Sequence, residues 1–162
     1  MNVLQKLWFF LPAGLANASP VILRHKLLRK IPNAQVDFGA SLPDGNRIFG
    51  DGKTFLGFAI GSGVGAFFGY LQGDAYLGFL LGFGAIFGDL IKSFFKRRFN
   101  LEPGKPWVPF DQLDFVFGAL LLSFIVYIPP VFTIILIIFA TPLLHPLTNR
   151  LGYYLKIKQT KW

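Results

Sequence analysis

The residues able to do chemistry crowd into two short stretches. The first is Gly88-Asp89-Leu90-Ile91-Lys92-Ser93-Phe94-Phe95-Lys96-Arg97-Arg98, and the second is Asp111-Gln112-Leu113-Asp114. On a helix, Asp89, Lys92, Ser93, Lys96 and Arg97 fall at i, i+3, i+4, i+7 and i+8, which is one face. Leu90, Ile91, Phe94 and Phe95 fall on the other. Acids alone at such a place would suit a cation path, and bases alone an anchor on anionic lipid. The mixture suits a metal-bound polyphosphate, since carboxylates hold Mg²⁺ while Lys and Arg hold phosphate oxygens. Asp89 follows an apolar run and would be costly there without a metal or a base. Asp111 and Asp114 share a face at the start of a helix, and two readings of them stand side by side. They are metal ligands, or they are acids favoured by the helix N-terminus.

A third stretch, Asp44-Gly45-Asn46-Arg47-Ile48-Phe49-Gly50-Asp51-Gly52-Lys53-Thr54, precedes an apolar segment. Gly52-Lys53-Thr54 is like the end of a Walker A motif. The full pattern fails, because its first glycine would fall at Arg47 and no strand precedes it. Glycines before a helix start still expose backbone N–H groups, and Lys53 is placed to meet a phosphate. The competing reading is a loop with one anchoring lysine. His25 and His145 are the only histidines. One lies in a basic run and the other between prolines, so structural or interfacial roles suit them better than a metal pair.

These stretches must be positioned by membrane helices. Of the 162 residues, 53% are hydrophobic and only 15% charged, with 20 Phe and 18 Gly. Long apolar runs of this composition indicate an integral membrane protein. With no Cys, disulfides and thiolate metal sites are excluded. The net charge of +8 is read as positive charge flanking membrane helices, not as nucleic-acid binding.

The expected fold is all-α, a single transmembrane domain of about five spans near 7–23, 54–71, 76–95, 113–128 and 131–147. Loops 24–53 and 96–112 join them on the cytoplasmic side. Pro12, Asn17 and Pro20 interrupt the first segment, and Asn17 is either a helix–helix hydrogen bond or a substrate contact. Leu113–Leu147 as one helix would be roughly 50 Å long, against a hydrocarbon core of about 30 Å. Pro129-Pro130 therefore divides it. Every Lys and Arg except Lys6 then lies on one side. The positive-inside rule makes that side cytoplasmic, with the N-terminus outside and the C-terminus inside. Gly57, Gly61, Gly65, Gly69 and Gly73 recur every four residues, and Gly78, Gly82, Gly84 and Gly88 follow. Such stripes let helices approach closely. Packing within the chain is expected, and a homodimer through the same groove stays open.

Ser93-Phe94-Phe95-Lys96-Arg97, a proline-containing loop and Asp111-x-x-Asp114 resemble the signature of the CDP-diacylglycerol synthases, S-x-x-K-R followed by a Gly-Gly-x-x-D-R-x-D element. The chain departs from the bacterial and eukaryotic pattern. No Gly-Gly precedes the paired acids, Gln112 stands where Arg would be, and the chain is short. With Pro43-Asp44-Gly45-Asn46-Arg47 and Gly50-Asp51-Gly52-Lys53-Thr54, it resembles the archaeal branch, the CDP-archaeol synthases, along essentially its whole length. The resemblance implies Mg²⁺-dependent cytidylyl transfer at the cell membrane. An ether-lipid phosphate, 2,3-di-O-geranylgeranylglyceryl phosphate, attacks the α-phosphorus of CTP and pyrophosphate leaves. Asp89, Asp111 and Asp114 would hold the metal, and Lys96 and Arg97 would act beside them. Asn46, Lys53, Thr54, Lys92 and Ser93 would contact the CTP phosphates or base. Three alternatives are weighed, one of them a purely structural assembly subunit. A CDP-alcohol phosphotransferase would need Ala-Arg after Asp44-Gly45, where Asn46-Arg47-Ile48 stands. A small ion or proton transporter using Asp89 leaves the clustered bases unexplained.

Overall fold

A computed structural model describes residues 3–26, 33–102 and 105–154. Five helices account for most of them: α1 (Val3–Lys26), α2 (Phe55–Leu71), α3 (Ala75–Arg98), α4 (Phe110–Ser123) and α5 (Val131–Tyr154). By length and composition α1, α3 and α5 each contain a stretch able to cross a membrane, and α2 is apolar but shorter. Large apolar side chains such as Phe67, Phe117, Phe139 and Leu143 face outward, as expected of a surface bathed in lipid.

α1 is one continuous helix through Pro12 and Pro20, and the expected interruptions do not break it. Each proline frees the carbonyl four residues back, and each freed carbonyl has a partner. The Gln72 side chain donates to the Trp8 carbonyl at 2.6 Å, and Ser19 Oγ donates to the Ala16 carbonyl at 3.0 Å. That is how a membrane helix tolerates an internal proline. α5 likewise runs on through Pro142 and Pro146. Pro129-Pro130 does separate α4 from α5, but α4 stops at Ser123.

α3 is the central element, packed against α1, α2 and α4, while α5 lies against α4 and α1. Between helices in lipid the hydrophobic effect supplies little, so close packing must hold the bundle. The glycines provide it. A Cβ at Gly65 would meet the Gly78 carbonyl oxygen and the Gly82 Cα at 2.6 Å, so α2 and α3 touch backbone to backbone. α3 of the same chain thus fills the glycine groove of α2. The pattern repeats one step on, where Gly84 and Gly88 of α3 face Gly118 of α4. The apolar core is built from Phe9, Phe10 and Ala13 of α1, Leu81 and Ala85 of α3, Phe115, Val116, Ala119 and Leu120 of α4, and Ile137 of α5. Asn17 is half-buried in α1.

Candidate active site

The α3–α4 contact decides which charges meet. Gly88 lies against the backbone of Asp114, so Lys92, one turn further along α3, points directly at the start of α4. Its ammonium sits among three carboxylates, 2.9 Å from Asp89 Oδ1, 3.1 Å from Asp111 Oδ1 and 2.7 Å from Asp114 Oδ2. The Asp114 side chain is only 4% exposed. One turn on, Lys96 Nζ donates to both Asp111 oxygens at 2.9 Å and to the Lys105 carbonyl at 2.6 Å. Lys96 is buried, although it is a lysine in the last turn of a helix. Such burial is tolerated because the charge is paired.

Asp111 also accepts the Trp107 N–H at 2.5 Å. Both readings of this residue therefore have a physical basis. It secures the turn before α4, and it faces the lysines of α3. Asp114 holds no loop N–H of this kind; among the described residues its Oδ1 accepts the adjacent Phe115 N–H.

The loop before α2 closes the site from the other side. Lys53 Nζ pairs with Asp89 Oδ2, bringing the third sequence stretch onto the first. The loop itself folds around a residue that the sequence reading passed over. Asp37 is 6% exposed. Its Oδ1 accepts from Arg47 at 2.5 Å and from the Gly39 N–H at 3.2 Å, and its Oδ2 accepts the Phe49 and Gly50 N–H groups at 3.0 and 3.2 Å. Burial alone would push this carboxyl up, but the combined hydrogen bonds from Phe49, Arg47, Gly50 and Gly39 hold it down at about 2. A buried acid whose partners are backbone amides has no periodicity to reveal it.

Arg98, also outside the predicted site, ties this loop to α3. It donates to the Asn46 and Arg47 carbonyls at 3.2 and 2.7 Å and pairs with Asp44 at 3.2 Å. Its guanidinium lies 5.2 Å from the Phe94 ring centre. Asn46 Nδ2 donates to Asn100 Oδ1 at 2.8 Å. Asn100 has φ +54°, and the Leu101 and Asn100 N–H groups return to the Lys96 and Arg97 carbonyls. This is the left-handed helix ending that favours Gly or Asn. Thr54 is the N-cap of α2, accepting the Gly57 N–H at 3.2 Å and the Asn33 side chain at 3.0 Å.

Of the ten predicted site residues, Lys53, Asp89, Lys92, Lys96, Asp111 and Asp114 form one connected network. Ser93 is buried on the same helix. Asn46 and Thr54 shape the loop and the start of α2. Arg97 Nε is buried without a hydrogen-bond partner among the described residues. Among those residues no three His, Asp or Glu side chains stand close enough to hold a metal ion as they are; the cation between the three aspartates is Lys92. Pro103 and Gly104 of the loop between the two stretches lie outside the described residues, as do the side chain of His25 and the basic run after it. His145 packs against Phe115, ring centres 6.3 Å apart.

The family model described as CarS-like, CDP-archaeol synthase, matches residues 1–76 and 71–162. A CDP-archaeol synthase of Pyrococcus furiosus is 42% identical, with 99% of this chain and 98% of that protein covered. One from Methanopyrus kandleri is also 42% identical, with 96% and 91% covered. A solved structure of an intramembrane enzyme for archaeal membrane lipids biosynthesis superposes with a TM-score of 0.75 at 37% identity, covering 91% of this chain and 94% of the other. With the family model spanning its length and such relatives along nearly all of it, the chain belongs to the CarS-like family of CDP-archaeol synthases.

Proposed function

We propose that the chain transfers a cytidylyl group from CTP to 2,3-di-O-geranylgeranylglyceryl phosphate, forming CDP-archaeol and pyrophosphate. The observation that carries this reading is the convergence of Lys53, Lys92 and Lys96 with Asp89, Asp111 and Asp114 at one end of the bundle, in a chain of this family. An oxygen of the lipid phosphate attacks the α-phosphorus of CTP, and the bond to the β-phosphate breaks. The nucleophile is already an anion, so no strong general base is required. What is required is to bring two anions together and to stabilise the leaving pyrophosphate. Lys53, Lys96 and Arg97 are the groups to meet phosphate oxygens, and Arg97 Nε, buried without a partner among the described residues, is a donor to spare.

The donor set also fits a hard divalent cation, since three carboxylates already surround one positive centre. Asp89, Asp111 and Asp114 would hold Mg²⁺ in place of the Lys92 ammonium that neutralises them here. When bound, the ion supplies charge neutralisation of the triphosphate and of the leaving group.

The distribution of Lys and Arg supports five crossings with the N-terminus outside and this cluster at the cytoplasmic face. The lipid would enter sideways from the inner leaflet. Drawing its chains into water would cost about 0.8 kcal/mol per CH₂. Phe117, one turn along α4 from Asp114, is exposed and offers an apolar surface beside the carboxylates.

The experiment is a thermal melt of the purified protein in detergent with and without CTP and Mg²⁺. Binding to the folded state alone raises the midpoint by mass action. A rise that needs both components and is lost in Asp114→Asn supports the reading. An unchanged midpoint at millimolar CTP contradicts it.

A further inference from the structure

The loop from 33 to 54 carries a buried carboxylate that touches none of the six networked site residues, and yet a short chain of contacts leads from it to one of them. Asp37 Oδ2 holds the Gly50 N–H at 3.2 Å. The Gly50 carbonyl accepts the Lys53 N–H at 3.2 Å, and the Lys53 carbonyl accepts the N–H of Val36, the residue beside Asp37, at 2.9 Å. The Lys53 backbone is thus held at both its donor and its acceptor by residues organised around Asp37. Its side chain then crosses to Asp89. Gly50 has φ +100°, a conformation that side-chain-bearing residues rarely adopt. The turn is therefore specific, not a default extended path. Arg47 adds a second tie, since it pairs with Asp37 while Arg98 of α3 donates to its carbonyl.

We propose that Asp37 is a positioning residue that acts through Lys53: it fixes the turn at 49–53 so that the Lys53 ammonium arrives at Asp89, facing the phosphates. This rests on reading Lys53 as a phosphate-binding base. A misplacement of about 1 Å in such a group is worth on the order of a hundredfold in rate. The proposal predicts a functional defect from a residue that touches neither substrate.

Two readouts test it. The first is independent of the reaction: acylation of lysines by an amine-reactive ester, followed site by site by mass spectrometry. In Asp37→Asn, Lys53 should be labelled several-fold faster than in the parent, as it should in Asp89→Asn, with Lys105 unchanged. The second is kinetic. Asp37→Asn should lower kcat/KM for CTP by roughly ten- to a hundredfold, and the double variant Asp37→Asn/Lys53→Ala should be no worse than Lys53→Ala alone, because groups acting as one unit are not additive. If Asp37→Asn does not fold, Asp37→Glu, which keeps the charge but shifts the turn, is read the same way. Multiplicative losses in the double variant, or unchanged Lys53 labelling, would overturn the proposal. Lys53→Ala at parental activity would also overturn it. Faster Lys53 labelling in Asp37→Asn, found together with a parent that makes no CDP-lipid, would uphold the placement of Lys53 by Asp37 and remove the catalytic reading instead.

Discussion

Gly88 lies against the carbonyl oxygen of Asp114, and this backbone contact lets Lys92 reach the Asp114 carboxylate at 2.7 Å. A methyl group at position 88 has no room unless one of the two helix backbones moves. Gly88→Ala should therefore separate α3 from α4, cost about 1–3 kcal/mol of stability and lower activity by roughly a hundredfold. Gly63→Ala is the matched control, because a Cβ there meets nothing within 4 Å. It should be neutral or slightly stabilising. Parallel melting and CDP-lipid synthesis assays check both, and near-normal activity of Gly88→Ala would contradict the packing argument.

Lys92 is the counter-ion of three carboxylates. Its replacement by Met should leave them repelling one another, and breaking such a buried pair costs about 3–5 kcal/mol. The variant should melt well below the parent in EDTA and recover with millimolar Mg²⁺, showing a larger Mg²⁺ response than the parent in the absence of nucleotide. Melting curves across a Mg²⁺ titration check this. A variant indifferent to Mg²⁺ would remove the metal from the aspartate cluster.

Asp89→Asn and Asp114→Asn should each lower kcat/KM by at least about a hundredfold while the protein still folds. Asp111→Asn should lose less if its chief duty is to accept the Trp107 N–H, and as much as the others if it is a metal ligand. Steady-state rates at saturating Mg²⁺ separate the two readings of Asp111 left open by the sequence.

Arg97→Lys should raise KM for CTP by roughly tenfold, because a point charge does not replace a planar guanidinium fork. Unchanged kinetics in Lys96→Ala/Arg97→Ala would mean that these bases only anchor the end of α3.

The five helices and the α3–α4 cluster were legible because their signals are local. Apolar runs broken by Pro129-Pro130 mark helices, and acids and bases at helical spacing mark a face. What was not legible depends on distant partners. Pro12 read as an interruption because nothing near it in sequence announces that Gln72 covers the Trp8 carbonyl. Lys92 read as one base among several, because its place between three acids is set by the contact of Gly88 with α4. Asp37 and Arg98 bind mostly backbone groups or loop side chains, which leave no spacing pattern.

The loop gives a pH prediction. With Asp37 held at about 2 against an ordinary 3.8, the folded state favours its charged form. Its contribution is complete above about pH 4 and is lost as pH falls from there through about 2. Pepsin, active in that window, should cut within 33–54 increasingly as pH falls. In Asp37→Asn the cutting should be fast throughout and nearly independent of this titration. Equal protection of both proteins at pH 4 would contradict the assigned role of the carboxylate.

The most direct measurement is incubation of the purified protein with Mg²⁺, a panel of lipid phosphates and CTP labelled at either the α- or the γ-phosphate. The account predicts that α-label enters lipid with an isoprenoid ether phosphate as acceptor, that γ-label appears only in pyrophosphate, and that both are lost in Asp114→Asn. Absence of α-label from every lipid, or undiminished transfer by Asp114→Asn, would contradict it.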